Sequence, residues 1–197
     1  SIECSLFPEE QVGIAIPAQI GYAVRGTHID RQFTGAFYAL QNILNFSYLW
    51  NEIRVLNGAY GCGFIPRDHG DLYFYSYRDP KPENSLEVYK KAADYVRAFL
   101  EEDPDLTTVI IGALGAVDPL LNPRNRMSLG DLRWLKGVTY EEALRVRKTL
   151  LECTKEDLLE LLPYLEKLGE EAHIAVVAGK NLLENCGDVL TSSDQII

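Results

Sequence analysis

The chain has 197 residues, 47% of them hydrophobic and 24% charged, with a formal net charge of −10. That length supports one domain with a proper core, and that balance is ordinary for a globular protein. The negative charge argues against nucleic acid and anionic membrane as partners, and no apolar run approaches the roughly 18 residues that a bilayer span needs.

The acidity is compatible with cationic peptide ligands, although solubility is the plainer account. Four cysteines, Cys4, Cys62, Cys153 and Cys186, are scattered without a C-x-x-C pair. They read as free thiols of a reducing compartment. Ser1 is followed by no basic-then-apolar leader, and Thr191–Ile197 has no tidy end. The expectation is a single domain over 1–197, cut from something longer or a processed product.

Residues 1–11 read as irregular. From Val12 the chain alternates through Ile14, Ile16, Ile20, Tyr22 and Val24, a period of two that predicts one or two strands broken at Pro17. Residues 33–54 read as one long helix, with Phe33, Ala36, Phe37, Leu40, Ile43, Leu44 and Tyr48 along one face. Asn57-Gly58 stops it. Residues 59–66 and 71–77 alternate as a hairpin around Arg67-Asp68-His69-Gly70, and Tyr73, Tyr75 and Tyr77 share a face of its second strand. Asn84 with Glu87 marks a helix over about 85–102, and further helices are predicted near 106–115 and 126–136. Thr139-x-x-Glu142 and Thr154-x-x-Asp157 are capping boxes opening helices at about 140–152 and 155–168. His173–Ala178 reads as a buried strand; beyond Gly179 the pattern fades. Segregated strands and helices predict an α+β fold, a mostly antiparallel sheet covered on one face by helices.

Complete catalytic constellations are missing from the pattern. His28, His69 and His173 have no partner at metal-ligand spacing, and neither H-E-x-x-H nor H-x-x-E-H occurs. There is no G-x-S-x-G elbow and no phosphate loop. Cys62 between glycines reads as a small strand residue rather than a reactive thiol. The oddest stretch is Trp50–Phe64, where a helical pattern meets Gly58, Gly61 and Gly63, and Arg54 and Tyr60 sit six apart. Two readings are open. Arg54 ends a helix, where a cation suits the dipole, and Tyr60 is a sheet residue. Alternatively, both donate hydrogen bonds to a polarised carbonyl or an oxyanion. Such a pair supplies neither nucleophile nor base.

At these residues the chain resembles the pitrilysin/insulinase superfamily of zinc metallopeptidases, in the C-terminal domain of its presequence-protease branch. The resemblance rests on Leu49-Trp50-Asn51-Glu52-Ile53-Arg54, Gly58-Ala59-Tyr60-Gly61 and Ser76-Tyr77-Arg78-Asp79-Pro80. Ile16-Pro17-Ala18-Gln19-Ile20-Gly21-Tyr22 and Ile110-Ile111-Gly112-Ala113-Leu114-Gly115 add to it, over about residues 12–178. The resemblance implies a LuxS/metallohydrolase-like domain of a two-half enzyme, acting on peptides in the bacterial cytoplasm or an organellar matrix. It implies that Arg54 binds a substrate carbonyl and that Tyr60 stabilises the tetrahedral intermediate. Zinc would be bound by an H-x-x-E-H helix in the N-terminal half, outside this chain, with no nucleic acid or membrane involved. The chain departs from the family in having Leu56-Asn57 where a basic residue and a glycine are expected. A non-catalytic scaffold or binding subunit of the same fold is the alternative.

Overall fold

Alternating sequence becomes sheet here because each strand has one face to bury. The computed structural model describes residues 11–187, 190 and 192–195. Among them the strands are β1 (Gln11–Ala15), β2 (Gly21–His28), β3 (Gly61–Pro66), β4 (Asp71–Asp79), β5 (His173–Ala178) and β6 (Ser192–Gln195). They form one sheet in the order β3-β4-β2-β5-β1-β6. The pairs β2/β4, β2/β5 and β3/β4 are antiparallel, whereas β1/β5 and β1/β6 are parallel. The sheet is therefore mixed but mostly antiparallel, as expected. The predicted irregular start, apart from Gln11, and Cys4 with it, lies outside the described residues.

One face carries the core. Ala23, Phe64, Leu72, Phe74, Ile174 and Val176 are buried on it, while Tyr22, Val24, Tyr73, Tyr75, Tyr77 and Ala175 on the other face stay partly or well exposed. The buried face meets α1 (Ala36–Asn42), α2 (Pro82–Lys90) and α8 (Leu162–Glu170), and α3 (Ala92–Glu101) packs against α8 and α2. Phe64 packs on Phe74 at 5.1 Å between ring centroids, and Phe74 stacks on Tyr89 of α2 at 5.0 Å. Each such ring contributes about 2 kcal/mol by burial. Arg25 of β2 points into the same layer, almost fully buried. Its Nε donates to the Leu168 carbonyl at 2.7 Å, and a second guanidinium nitrogen donates to the Gly169 carbonyl, so a cation closes the end of α8.

The helix predicted over 33–54 is two helices of different winding. α1 keeps the 3.6-residue repeat, and from Ile43 to Leu56 the chain is π-helical. The buried residues explain the change: Ile43, Leu44, Tyr48, Leu49 and Ile53 recur every five positions. An i→i+5 helix lines them up, whereas in an α-helix each step of five would turn the stripe by about 140°. This helix runs beside β3, at the edge of the sheet. Asn45 accepts from the Phe64 amide at 2.6 Å and donates to its carbonyl at 3.3 Å, and Gln41 donates to the same carbonyl at 3.0 Å. Side chains of α1 and the π-helix thereby satisfy an edge that would otherwise be open to pairing.

Other boundaries follow local chemistry. The helix expected from Asn84 starts earlier, at Pro82, because proline suits the first helical turn. The span 85–102 breaks at Lys91, and 155–168 divides into α7 (Lys155–Leu159) and α8, where Pro163 lies in the first turn. Helices α4 (Thr107–Val117), α5 (Pro123–Lys136) and α6 (Tyr140–Leu151) lie close to the expected spans, and α9 (Lys180–Asn185) follows β5 where no element was expected. Both capping boxes form at Thr139 and Thr154. α5 buries none of its residues, and Trp134 is 81% exposed. No described helix is long and apolar enough to cross a membrane.

Close approach at Gly35 offers a test of the helical layer. A Cβ there would lie 2.1 Å from the Leu150 amide nitrogen, which is main chain of α6. Gly35→Ala is expected to destabilise the chain by about 1–3 kcal/mol in denaturant unfolding, and an unchanged midpoint would show that α6 can shift freely.

Candidate functional site

The π-helix delivers Arg54 in its last turn, and the turn after it is closed by main-chain bonds. The Ala59 amide donates to the Ile53 carbonyl at 3.1 Å, and the Tyr60 amide donates to the Arg78 carbonyl of β4 at 3.3 Å. Gly58 stands at φ +83°, the left-handed conformation that the stop signal Asn57-Gly58 predicted. The departure at Leu56-Asn57 is accommodated here, with Asn57 right-handed and Leu56 exposed. β3 begins at Gly61, so Tyr60 precedes the strand and is not a sheet residue.

Arg54 and Tyr60 thus flank one short turn. Among the described residues no hydrogen bond joins them, and no carboxylate pairs with Arg54. The guanidinium instead lies over the Trp50 ring, 4.1 Å from its centroid, a cation–π contact that leaves its N–H edges free. Tyr60 is 65% exposed. Its ring meets Tyr77 edge-on at 5.8 Å, and Tyr77 meets Tyr22 at 5.4 Å, so three tyrosines run in a line across the open face. The shared face of Tyr73, Tyr75 and Tyr77 is divided. Tyr75 covers Gly63, Tyr73 accepts from Arg67 at 2.8 Å, and Tyr77 supports Tyr60.

The cysteine and histidines do other work. Cys62 donates its S–H to the Leu49 carbonyl at 3.2 Å, a further tie between β3 and the π-helix. Burial pushes its thiol up to about 11; the Asp79 charge adds to that and the Arg54 cation opposes it. At the far end of the open face, His28 and His69 each lie 2.8 Å from a different oxygen of Asp71. The hydrogen bond from His28 is the main cause holding that carboxyl below its usual range. His28, Asp71 and His173 line a shallow depression of about 750 Å³ with Val12, Ile14 and Val24. Among the described residues no group of three or more His, Cys, Asp or Glu side chains is arranged to hold a metal ion. This chain therefore offers no fitted zinc site among them.

Two contacts were not foreseen. Trp50 as the seat of Arg54, and Arg78 beside Tyr60, both lie within quoted motifs, but only three-dimensional placement shows what they touch.

The family described as "PreP C-terminal domain" matches residues 13–180. The chain belongs to that family, the C-terminal domain of presequence-protease-type peptidases. It is 28% identical to Protein HypA of Clostridium perfringens over 94% of this chain and 19% of that protein. It is 31% identical to presequence protease 1, chloroplastic/mitochondrial, of Arabidopsis thaliana over 87% of this chain and 16% of that protein. The chain thus spans less than a fifth of either relative. In fold it is similar to a peptidase M16 inactive domain from Pseudomonas fluorescens, with a TM-score of 0.59 at 16% identity over 90% of this chain and 44% of that one.

The buried thiols set an alkaline limit. Burial also raises Cys153 to about 12 and Cys186 to about 11. Unfolded thiols ionise near about 8.5, so above that pH unfolding releases protons that the folded chain still holds. The stability tied to these neutral thiols is complete below about pH 8.5 and is lost as pH rises toward 11 for Cys62 and Cys186. At pH 8, alkylation of the folded chain should be on the order of 10²-fold slower than in urea. Equal rates would show that the thiols are accessible as thiolates.

Proposed function

We propose that this domain contacts substrate in a zinc-dependent metalloendopeptidase that degrades oligopeptides, and that zinc and the general base are carried by the other half of the enzyme. The observation that carries this reading is the pair of donors at one turn, Arg54 and Tyr60, neither engaged by a carboxylate or hydrogen bond among the described residues. The permanently charged guanidinium binds a backbone carbonyl of the peptide. The neutral phenol donates to the oxyanion that forms when the scissile carbonyl is attacked. Zinc, held elsewhere, supplies an activated water. Neither Arg54 nor Tyr60 can start the reaction, so their contribution depends on closure of the two halves around the peptide. Free thiols suit the reducing bacterial cytoplasm; the Arabidopsis relative is named for chloroplast and mitochondrion.

Membership of the presequence-protease family supports this reading. So does the exposed apolar surface of α5, which we assign to contact with the remainder of the polypeptide. Trp134→Glu should leave the Tm of the 197-residue chain unchanged and lower that of the full-length protein. Equal behaviour of the two would count against the contact.

The chain by itself should cleave no peptide in the presence of zinc. In the full-length enzyme, Arg54→Ala and Tyr60→Phe should each lower kcat/KM by about 10- to 10³-fold, about 1.5–4 kcal/mol of transition-state stabilisation. A loss below tenfold, which a scaffold role predicts, would overturn the assigned roles.

A further inference from the structure

We propose that Arg78 is a positioning residue for Tyr60, holding the phenol ring against Tyr77 where it can reach the substrate; the inference rests on the reading of Tyr60 given above. Three features of β4 lead to it. The first is a bulge. Gly21 pairs with Asp79 and Ala23 with Ser76, so two steps along β2 face three along β4, and the extra residue falls at Tyr77-Arg78. The second is backbone strain. Arg78 stands at φ +47°, a left-handed conformation that glycine enters without cost and an arginine does not. The third is what its side chain touches. The guanidinium carbon lies 5.9 Å from the centroid of Tyr60 and 5.6 Å from that of Tyr77, within cation–π range of both.

The plain account of the bulge is that it turns Asp79 inward. Asp79 is 0% exposed; it accepts from the Lys81 amide at 2.8 Å and from the Ser85 hydroxyl at 2.6 Å, which ties the strand end to the start of α2. That need is met by main chain alone, and glycine at position 78 would meet it with less strain. An exposed arginine in this conformation is explained by its side chain, which bridges the two rings. Its carbonyl meanwhile accepts the Tyr60 amide at 3.3 Å. One residue thus fixes both the main chain and the ring of Tyr60. Strain of this kind persists at sites where the surroundings over-determine it.

Arg78→Gly separates the two accounts. In the 197-residue chain it should leave Tm no lower than in the parent. The near-ultraviolet circular dichroism due to Tyr60, read as the difference between parent and Tyr60→Phe, should disappear in the Arg78→Gly background. In the full-length enzyme, kcat should fall by about tenfold or more with KM changed less than twofold, and Arg78→Lys should recover most of the loss by restoring a cation over the rings. A lowered Tm, or a Tyr60 signal that survives the substitution, would overturn the positioning role. Loss of the Tyr60 signal with full kcat would support the positioning of Tyr60 and overturn the catalytic reading of that residue.

Discussion

Asn45 holds both main-chain groups of Phe64, and that clamp decides where the candidate site lies. It sets the π-helix alongside the edge strand in one register. The Cys62 thiol on the Leu49 carbonyl repeats the tie further along. With the helix pinned at two points, its last turn has a fixed position relative to the start of β3. Arg54 and Tyr60 are then separated by a turn too short to wander, stapled by the Ala59 and Tyr60 amides. The wide winding is part of the same constraint, because only a five-residue repeat presents Ile43, Leu44, Tyr48, Leu49 and Ile53 as one buried stripe.

The sheet is covered on one face, and the candidate site sits at the rim of the other. Phe64, Phe74 and Tyr89 stack inward and supply rigidity. Tyr22, Tyr77 and Tyr60 line up outward and supply a polar, aromatic surface. The division costs little at the strand level, since neighbouring residues point to opposite faces. It leaves donors exposed on a scaffold held by buried groups such as Arg25 and Asp79, whose hydrogen bonds close the ends of α8 and β4.

The chain belongs to the presequence-protease C-terminal family, and among its described residues no group of three or more His, Cys, Asp or Glu side chains is arranged to hold a metal ion. Under the proposed division of the chemistry between two bodies, this domain would only have to place donors. Donors that act on an oxyanion have to be placed, not activated, so they can arrive from the opposite side of a substrate when the bodies close.

Much of the fold was legible in the residues. The period-two runs, the hairpin at Arg67–Gly70, the glycine stop at Gly58 and the capping boxes at Thr139 and Thr154 are local signals, carried by side chains acting within a few positions of themselves. They marked most of the elements and the α+β class, and Arg54 and Tyr60 were visible as a pair because they lie six positions apart with Gly58 between them. The winding of residues 43–56 was not legible, because the choice between four- and five-residue repeats depends on which stripe the neighbouring strand buries. The parallel pairings of β1 and the bulge at Tyr77-Arg78 were decided by tertiary structure alone. Each depends on groups far apart in the chain or on a backbone conformation that arginine adopts only when its surroundings impose it.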